Sequence, residues 1–115
     1  MKTYKKLVRD RIPEIITARG DIAVTRTLSD GEFLEKLREK LCEEVQEFLS
    51  DGTAEELADI YEVLLAILDT MGISPATFER MRSRKTAERG GFSQKIFLES
   101  VIEQNYRVGD HENDT

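Results

Sequence analysis

The sequence contains one cysteine, one histidine and no long apolar run, and these scarcities exclude several classes of protein. Cys42 has no second cysteine to pair with, so the chain cannot be a small secreted domain held together by internal disulfides. No stretch is apolar enough to span a bilayer, and the first residues do not read as a signal peptide. We therefore expect a cytoplasmic protein that does not enter the membrane.

Positive charge is outnumbered by negative charge, 17 Lys and Arg against 23 Asp and Glu, and it is unevenly distributed. The net charge is −6, which argues against a nucleic acid polymer as partner, because such binders carry a basic surface. No Lys or Arg occurs between Leu41 and Glu79. Eight acidic residues lie between positions 43 and 62, whereas basic residues fill residues 1–20 and 80–95. This pattern fits three solvated faces, and it also fits a ligand that is a metal-bound polyphosphate.

The apolar residues predict one helical domain. A hydrophobic content of 39% in 115 residues is enough for a single core, and these residues recur at helical spacing through the middle of the chain. We place this domain at residues 1–108 and expect a disordered acidic tail at 109–115, which contains the lone His111. The predicted fold class is mainly all-α, a bundle built on a helical hairpin.

Capping signals set the expected boundaries of the helices. Ser29 with Glu32, and Thr53 with Glu56, have the spacing of capping boxes, and Ser74-Pro75 has the pattern of a third helix start. Glycines are expected to end these helices near residues 52, 72 and 90. A short helix is expected around Pro13. Residues 21–28 are expected to be extended, and 92–101 are ambiguous between strand and helix.

Four carboxylates are expected to meet across the central hairpin. At about 100° per residue, Glu44 and Glu47 lie on one edge of the first long helix, and Glu56 falls inside the apolar stripe of the next. A short connection makes the helices antiparallel, which pairs Glu47 with Glu56 and Glu44 with Asp59. Capping and the helix dipole also account for Glu56 and Asp59. Glu43 points away from Glu44, so we expect it at the surface or behind the cluster.

Such a cluster requires a cation. Carboxylates about 5 Å apart repel by about 3 kcal/mol at an effective dielectric near 20. With no Lys or Arg expected nearby and no His or Cys among the donors, an all-oxygen cluster suits Mg²⁺, or Mn²⁺, better than zinc.

Three segments of the chain resemble one family. Glu43-Glu44-x-x-Glu47 followed by Glu56-x-x-Asp59 resembles the EExxE…ExxD signature of the all-α nucleoside triphosphate pyrophosphatase superfamily, the MazG-like proteins. KLVRDRIPEII near the start and Lys85-x-x-x-Arg89-Gly90-Gly91-Phe92 are similar to its small branch that is like phosphoribosyl-ATP pyrophosphohydrolase. The resemblance covers most of residues 4–98.

The resemblance implies a Mg²⁺-dependent enzyme that hydrolyses a nucleoside triphosphate, or a non-standard nucleotide, to the monophosphate and pyrophosphate in a house-cleaning role. It implies Glu44, Glu47, Glu56 and Asp59 as metal ligands, with Glu47 or Glu44 as the catalytic base. Lys85 and Arg89, and more weakly Lys6 and Arg9, would bind the substrate's phosphates. An ordinary solvated helix end accounts equally well for Lys85 and Arg89.

Three other functions stay open: a phosphoribosyl-ATP pyrophosphohydrolase of histidine biosynthesis, an inactive helical nucleotide-binding or interaction module, and a divalent-ion-dependent regulator that binds nucleotides without cleaving them. Self-association is expected in each case. Tyr61, Leu65 and Leu68 widen the apolar stripe of the second long helix beyond one contact face, and three helices cannot cover it. The resemblance likewise implies a homodimer or homotetramer.

Overall fold

The computed structural model describes residues 1–104, and within them the chain forms four α-helices and no strand. The helices are α1 (Ile12–Ala18), α2 (Asp30–Asp51), α3 (Ala54–Thr70) and α4 (Pro75–Arg89). This confirms the mainly all-α fold class. Residues 21–28 and 92–101 adopt neither helix nor strand. The expected tail at 109–115 lies outside the described residues. No helix in the described part of the chain is long and apolar enough to cross a membrane.

The start of α2 is held by a complete capping box. The Ser29 side chain accepts a hydrogen bond from the Glu32 backbone N–H, and the Glu32 carboxylate accepts one from the Ser29 backbone N–H. Arg26 also donates to Glu32, and this hydrogen bond is the main reason why the pKa of Glu32 falls to about 2. The helix ends at Gly52, whose φ of 67° is the left-handed conformation that glycine adopts most readily.

The start of α3 forms only half of the expected capping box. The Thr53 side chain accepts a hydrogen bond from the Glu56 backbone N–H, as predicted. The Glu56 carboxylate, however, accepts a hydrogen bond from the Thr53 hydroxyl rather than from the Thr53 backbone. At α4 the Ser74 side chain caps the helix and Pro75 occupies its first turn, as predicted.

The core of the chain is small and lies between α2 and α3. Leu37 on α2 and Val63 and Leu68 on α3 are the buried hydrophobic residues of the described part, and Glu44 is buried beside them. From Glu79 onward every described residue is exposed. Within the described part of one chain, the expected bundle is therefore reduced to a helical hairpin, and only the first turn of α4 packs against it.

Removing the Ser29 cap tests how much it contributes to the free energy of unfolding. Ser29→Ala leaves the backbone N–H of Glu32 without its side-chain partner and should lower the free energy of unfolding by about 1 kcal/mol. Ser50→Ala, at an exposed position near the other end of α2, should be neutral or slightly stabilising, because alanine has the higher helix propensity. Urea denaturation at pH 7 measures both, and equal midpoints would contradict a capping role for Ser29.

Candidate functional site

Three carboxylates on α2 form one compact group. Glu43, Glu44 and Glu47 each offer an oxygen atom, and these three atoms lie within 4.8 Å of one another. The spacing explains the grouping, because residues three and four apart are neighbours on a helix surface. We expected Glu43 at the surface or behind the cluster; its side chain is partly exposed, and one of its oxygens belongs to the same group. We call Glu43, Glu44 and Glu47 the acidic triad.

Glu44 is the buried member of the acidic triad. Only 6% of the residue is exposed, and no other charged or polar residue of the described part is classed as buried. Its Oε2 lies 3.4 Å from the Lys40 ammonium, whereas its Oε1 is buried without any hydrogen-bond partner. An unpaired buried carboxylate oxygen is costly, so a further cation or donor would stabilise it.

Lys40 is the cation that the sequence analysis missed. Its ammonium lies 2.8 Å from Glu43 and 3.4 Å from Glu44, so the expectation that no Lys or Arg is near the cluster was wrong. Burial lowers the pKa of Lys40, but its hydrogen bonds and charge interactions with Glu43 and Glu44 outweigh that effect and raise the pKa. Lys40 precedes Glu44 by one helical turn, and this spacing was visible in the sequence.

Glu47 is exposed, and its pKa is raised. The negative charge of Glu44 is the largest cause, followed by partial desolvation and the charge of Glu43, whereas Lys40 acts in the opposite direction. Glu56 on the facing helix adds a smaller increase. Glu47 therefore binds a proton more readily than an isolated glutamate does.

Glu56 and Asp59 lie outside the acidic triad, and each already has a partner. Glu56 caps α3 with Thr53, as described above. Asp59 accepts a hydrogen bond of 2.6 Å from the Arg9 guanidinium. This ion pair joins the segment before α1 to α3. Whether Glu56 and Asp59 also bind a metal stays a prediction.

The other basic residues predicted at the site divide into two groups. Lys6 lies 3.9 Å from Glu43, and together with Lys36 and Lys40 it lines a shallow pocket next to the acidic triad. Lys85 and Arg89 are exposed near the end of α4, and within residues 1–104 neither forms an ion pair. The structure thus brings Lys6 and Arg9 to the carboxylates but shows no such contact for Lys85 or Arg89.

Comparison with known proteins leaves the family unassigned. No protein-family model matches the chain, and no solved structure matches it. Over 48 residues the chain is 54% identical to an uncharacterized protein of Mycolicibacterium smegmatis, an alignment that covers 42% of this chain and 49% of that protein. The chain thus spans about half the length of this relative, and the resemblance to the MazG-like proteins stays a prediction.

Replacing Lys40 tests whether it balances the buried charge of Glu44. Lys40→Met keeps the aliphatic stem but leaves Glu44 without a cation, and the free energy of unfolding should fall by about 1–3 kcal/mol. Lys36→Met is the matched control, since Lys36 pairs with the exposed Glu39, and it should change stability by less than about 0.5 kcal/mol. Denaturant unfolding without divalent ions measures both. Equal losses would mean that Lys40 is an ordinary surface lysine.

Proposed function

We propose that this chain is a Mg²⁺-dependent nucleoside triphosphate pyrophosphohydrolase that releases pyrophosphate from a canonical or non-standard nucleotide. The observation that carries the proposal is the buried, unpartnered oxygen of Glu44 within a group of three carboxylates. A cluster of exposed carboxylates alone would not suffice, because such clusters are common on protein surfaces. A buried oxygen without a donor, next to two further anions, favours a bound cation.

The donor set fits a hard divalent ion. All three members of the acidic triad are carboxylates, which suit Mg²⁺ and Mn²⁺, and an exposed member leaves access from solvent. Glu44 and Glu47 would hold the ion together with Glu43. The resemblance adds Glu56 and Asp59, which would first have to leave Thr53 and Arg9. When bound, Mg²⁺ would neutralise phosphate charge and favour attack by water.

The chain's own residues supply the remaining chemistry. The raised pKa of Glu47 and its exposure suit a general base that takes the proton of the attacking water on its carboxylate. Glu44, fixed by burial and by Lys40, is the alternative base and the better anchor. The pocket beside the acidic triad is lined by Lys6, Lys36 and Lys40 and also by Glu39 and Glu43, so its ammonium groups would have to leave these carboxylates to contact the phosphates of a substrate. Arg9, Lys85 and Arg89 are further candidates for phosphate binding, from the resemblance.

One observation favours a second function. Lys40 and Arg9 already neutralise carboxylates without any metal, and such a site also suits an inactive module that binds nucleotides or proteins. A phosphoribosyl-ATP pyrophosphohydrolase would use the same carboxylates, so only the substrate distinguishes it. For each function we propose a cytoplasmic homodimer or homotetramer that does not bind a nucleic acid polymer, and for the two enzymes the ligand is a nucleotide.

Metal binding should be visible in thermal stability. An ion that binds only the folded protein stabilises it by about 2.7 kcal/mol at a concentration 100 times its dissociation constant. Millimolar Mg²⁺ or Mn²⁺ should therefore raise the Tm of EDTA-treated protein by about 4 °C or more. KCl of equal ionic strength is the control for screening. A Tm that responds equally to KCl and MgCl₂ would argue against the metal site.

Two substitutions separate metal ligation from helix capping. Glu47→Gln removes a triad carboxylate, and Glu56→Gln keeps the shape of the cap; each should reduce pyrophosphate release from the preferred nucleotide by about 100-fold or more. Each should also diminish the Mg²⁺-dependent rise in Tm. Glu55→Gln removes a neighbouring charge in the same first turn of α3 and serves as the matched control.

The substrate is identified with a panel of nucleoside triphosphates and phosphoribosyl-ATP, assayed with and without Mg²⁺. If Glu56→Gln behaves like Glu55→Gln, Glu56 is only a cap. If no nucleotide is cleaved but Mg²⁺ still raises the Tm, the inactive module is the better description.

A further inference from the structure

The C-terminal part of the described chain has no packing partner. We call residues 79–104, all of which are exposed, the C-terminal limb. Six of its large apolar side chains are each at least 67% exposed: Phe92, Ile96, Phe97, Leu98, Val101 and Ile102. A folded protein rarely leaves so many adjacent apolar groups in water, because burying apolar surface is the main favourable contribution to folding and association.

The helical part of the C-terminal limb, residues 79–89 of α4, also has no packing partner. α4 has 15 residues, and beyond its first turn it makes no contact that buries a side chain. An isolated helix of about 12–15 residues is only marginally stable in water, and most helical stability in proteins comes from packing. The limb therefore requires a surface to pack against.

The size of the exposed surface points to a large interface. The chain exposes 10438 Å², whereas a compact monomer of this mass exposes about 6,400 Å². Its radius of gyration is 20.1 Å, compared with about 13 Å for a compact domain of this length. The excess far exceeds the roughly 800 Å² that each partner buries in a standard interface.

Charge identifies the surface that the limb fits. The C-terminal limb contains six basic and four acidic residues, and all six basic residues lie in 80–95 with only one of the acidic ones. Residues 41–70 of the hairpin contain nine acidic residues and no basic one. The hairpin also exposes Leu57 and Tyr61, one turn apart on α3 and about half exposed. Glu62 and Asp69 lie on α3 beside this apolar edge and are exposed. The limb and the hairpin are thus complementary in both charge and apolar character.

We propose that the C-terminal limb of one copy lies along α3 of a second copy, and that the limb of the second copy lies along α3 of the first. In this structure the limb does not pack on its own hairpin, yet every copy carries both surfaces. A two-fold arrangement satisfies both pairs at once, because each copy donates one limb and accepts another. This exchange specifies which surfaces associate, and it does not depend on catalysis.

A charge-swap experiment on the full chain tests the exchange. Variant H carries Glu62→Lys and Asp69→Lys on the hairpin, and variant L carries Arg80→Glu and Arg84→Glu on the limb. In each variant alone, the two reversed side chains meet unreversed side chains of the same sign on the other copy and repel them locally, which should weaken self-association by at least about tenfold. In an equimolar mixture both contacts regain opposite signs, and association should return to within about threefold of the wild type.

Sedimentation velocity at low salt measures the masses, and circular dichroism measures whether H and L stay helical. We expect the wild type at twice the chain mass of 13.2 kDa or more, H and L at the chain mass, and their mixture as a dimer. Phe97→Asp should also dissociate the dimer, whereas Ser100→Asp, with the same added charge, should not.

Three results would overturn the proposal. A wild type that stays monomeric at about 100 μM leaves the limb without a second copy. If H and L each dimerise like the wild type, other surfaces associate. If H and L are monomers and their mixture is too, the limb binds its own hairpin or an unrelated partner.

Discussion

Electrostatic balance within the helical hairpin is the constraint on which the rest of the site depends. Glu44 is buried next to Glu43 and Glu47, and the residues that follow, up to Glu79, provide no cation. The balance comes instead from one helical turn earlier, where Lys40 contacts two of the three carboxylates. A second contribution comes from the N-terminal segment, whose Arg9 reaches Asp59 on α3. Lys40 thus offsets part of the charge of the acidic triad, whereas the Arg9–Asp59 pair also joins the segment before α1 to α3.

Local features of this fold could be read from the sequence, whereas contacts between distant segments could not. Ser29 with Glu32 and Ser74 with Pro75 marked helix starts, because a cap depends on residues only a few positions apart. The Arg9–Asp59 pair joins residues 50 positions apart, and nothing in the spacing of either residue indicates it. Lys40 is an intermediate case. Its distance of four residues from Glu44 is a local signal, but its importance depends on the burial of Glu44, which is a tertiary property.

The same distinction applies to self-association. The width of the apolar stripe on α3 indicated that one chain has too much apolar surface, although Leu68, which widens that stripe, turns out to be buried in the hairpin. Which segment remains without a partner could be predicted only in part. After its first turn α4 is polar, as a solvated helix is, but the residues that follow it are rich in apolar side chains, as a packed segment is. The exposure of every described residue from Glu79 onward shows that these side chains do not pack within the described part of the chain.

The ion pairs of Lys40 and Arg9 bear on the proposed function in two opposite ways. Lys40 and Arg9 stabilise the hairpin without a metal, so a divalent ion must compete with two cations already in place, and its net effect is smaller than the charge of the carboxylates suggests. The same two cations could also contribute to binding of the substrate. If a divalent ion bound the carboxylates, Lys40 and Arg9 would remain within a side chain's length of them and could contact the phosphates of a substrate. On the proposed function, the groups that balance the carboxylates are therefore the ones best placed to bind the substrate.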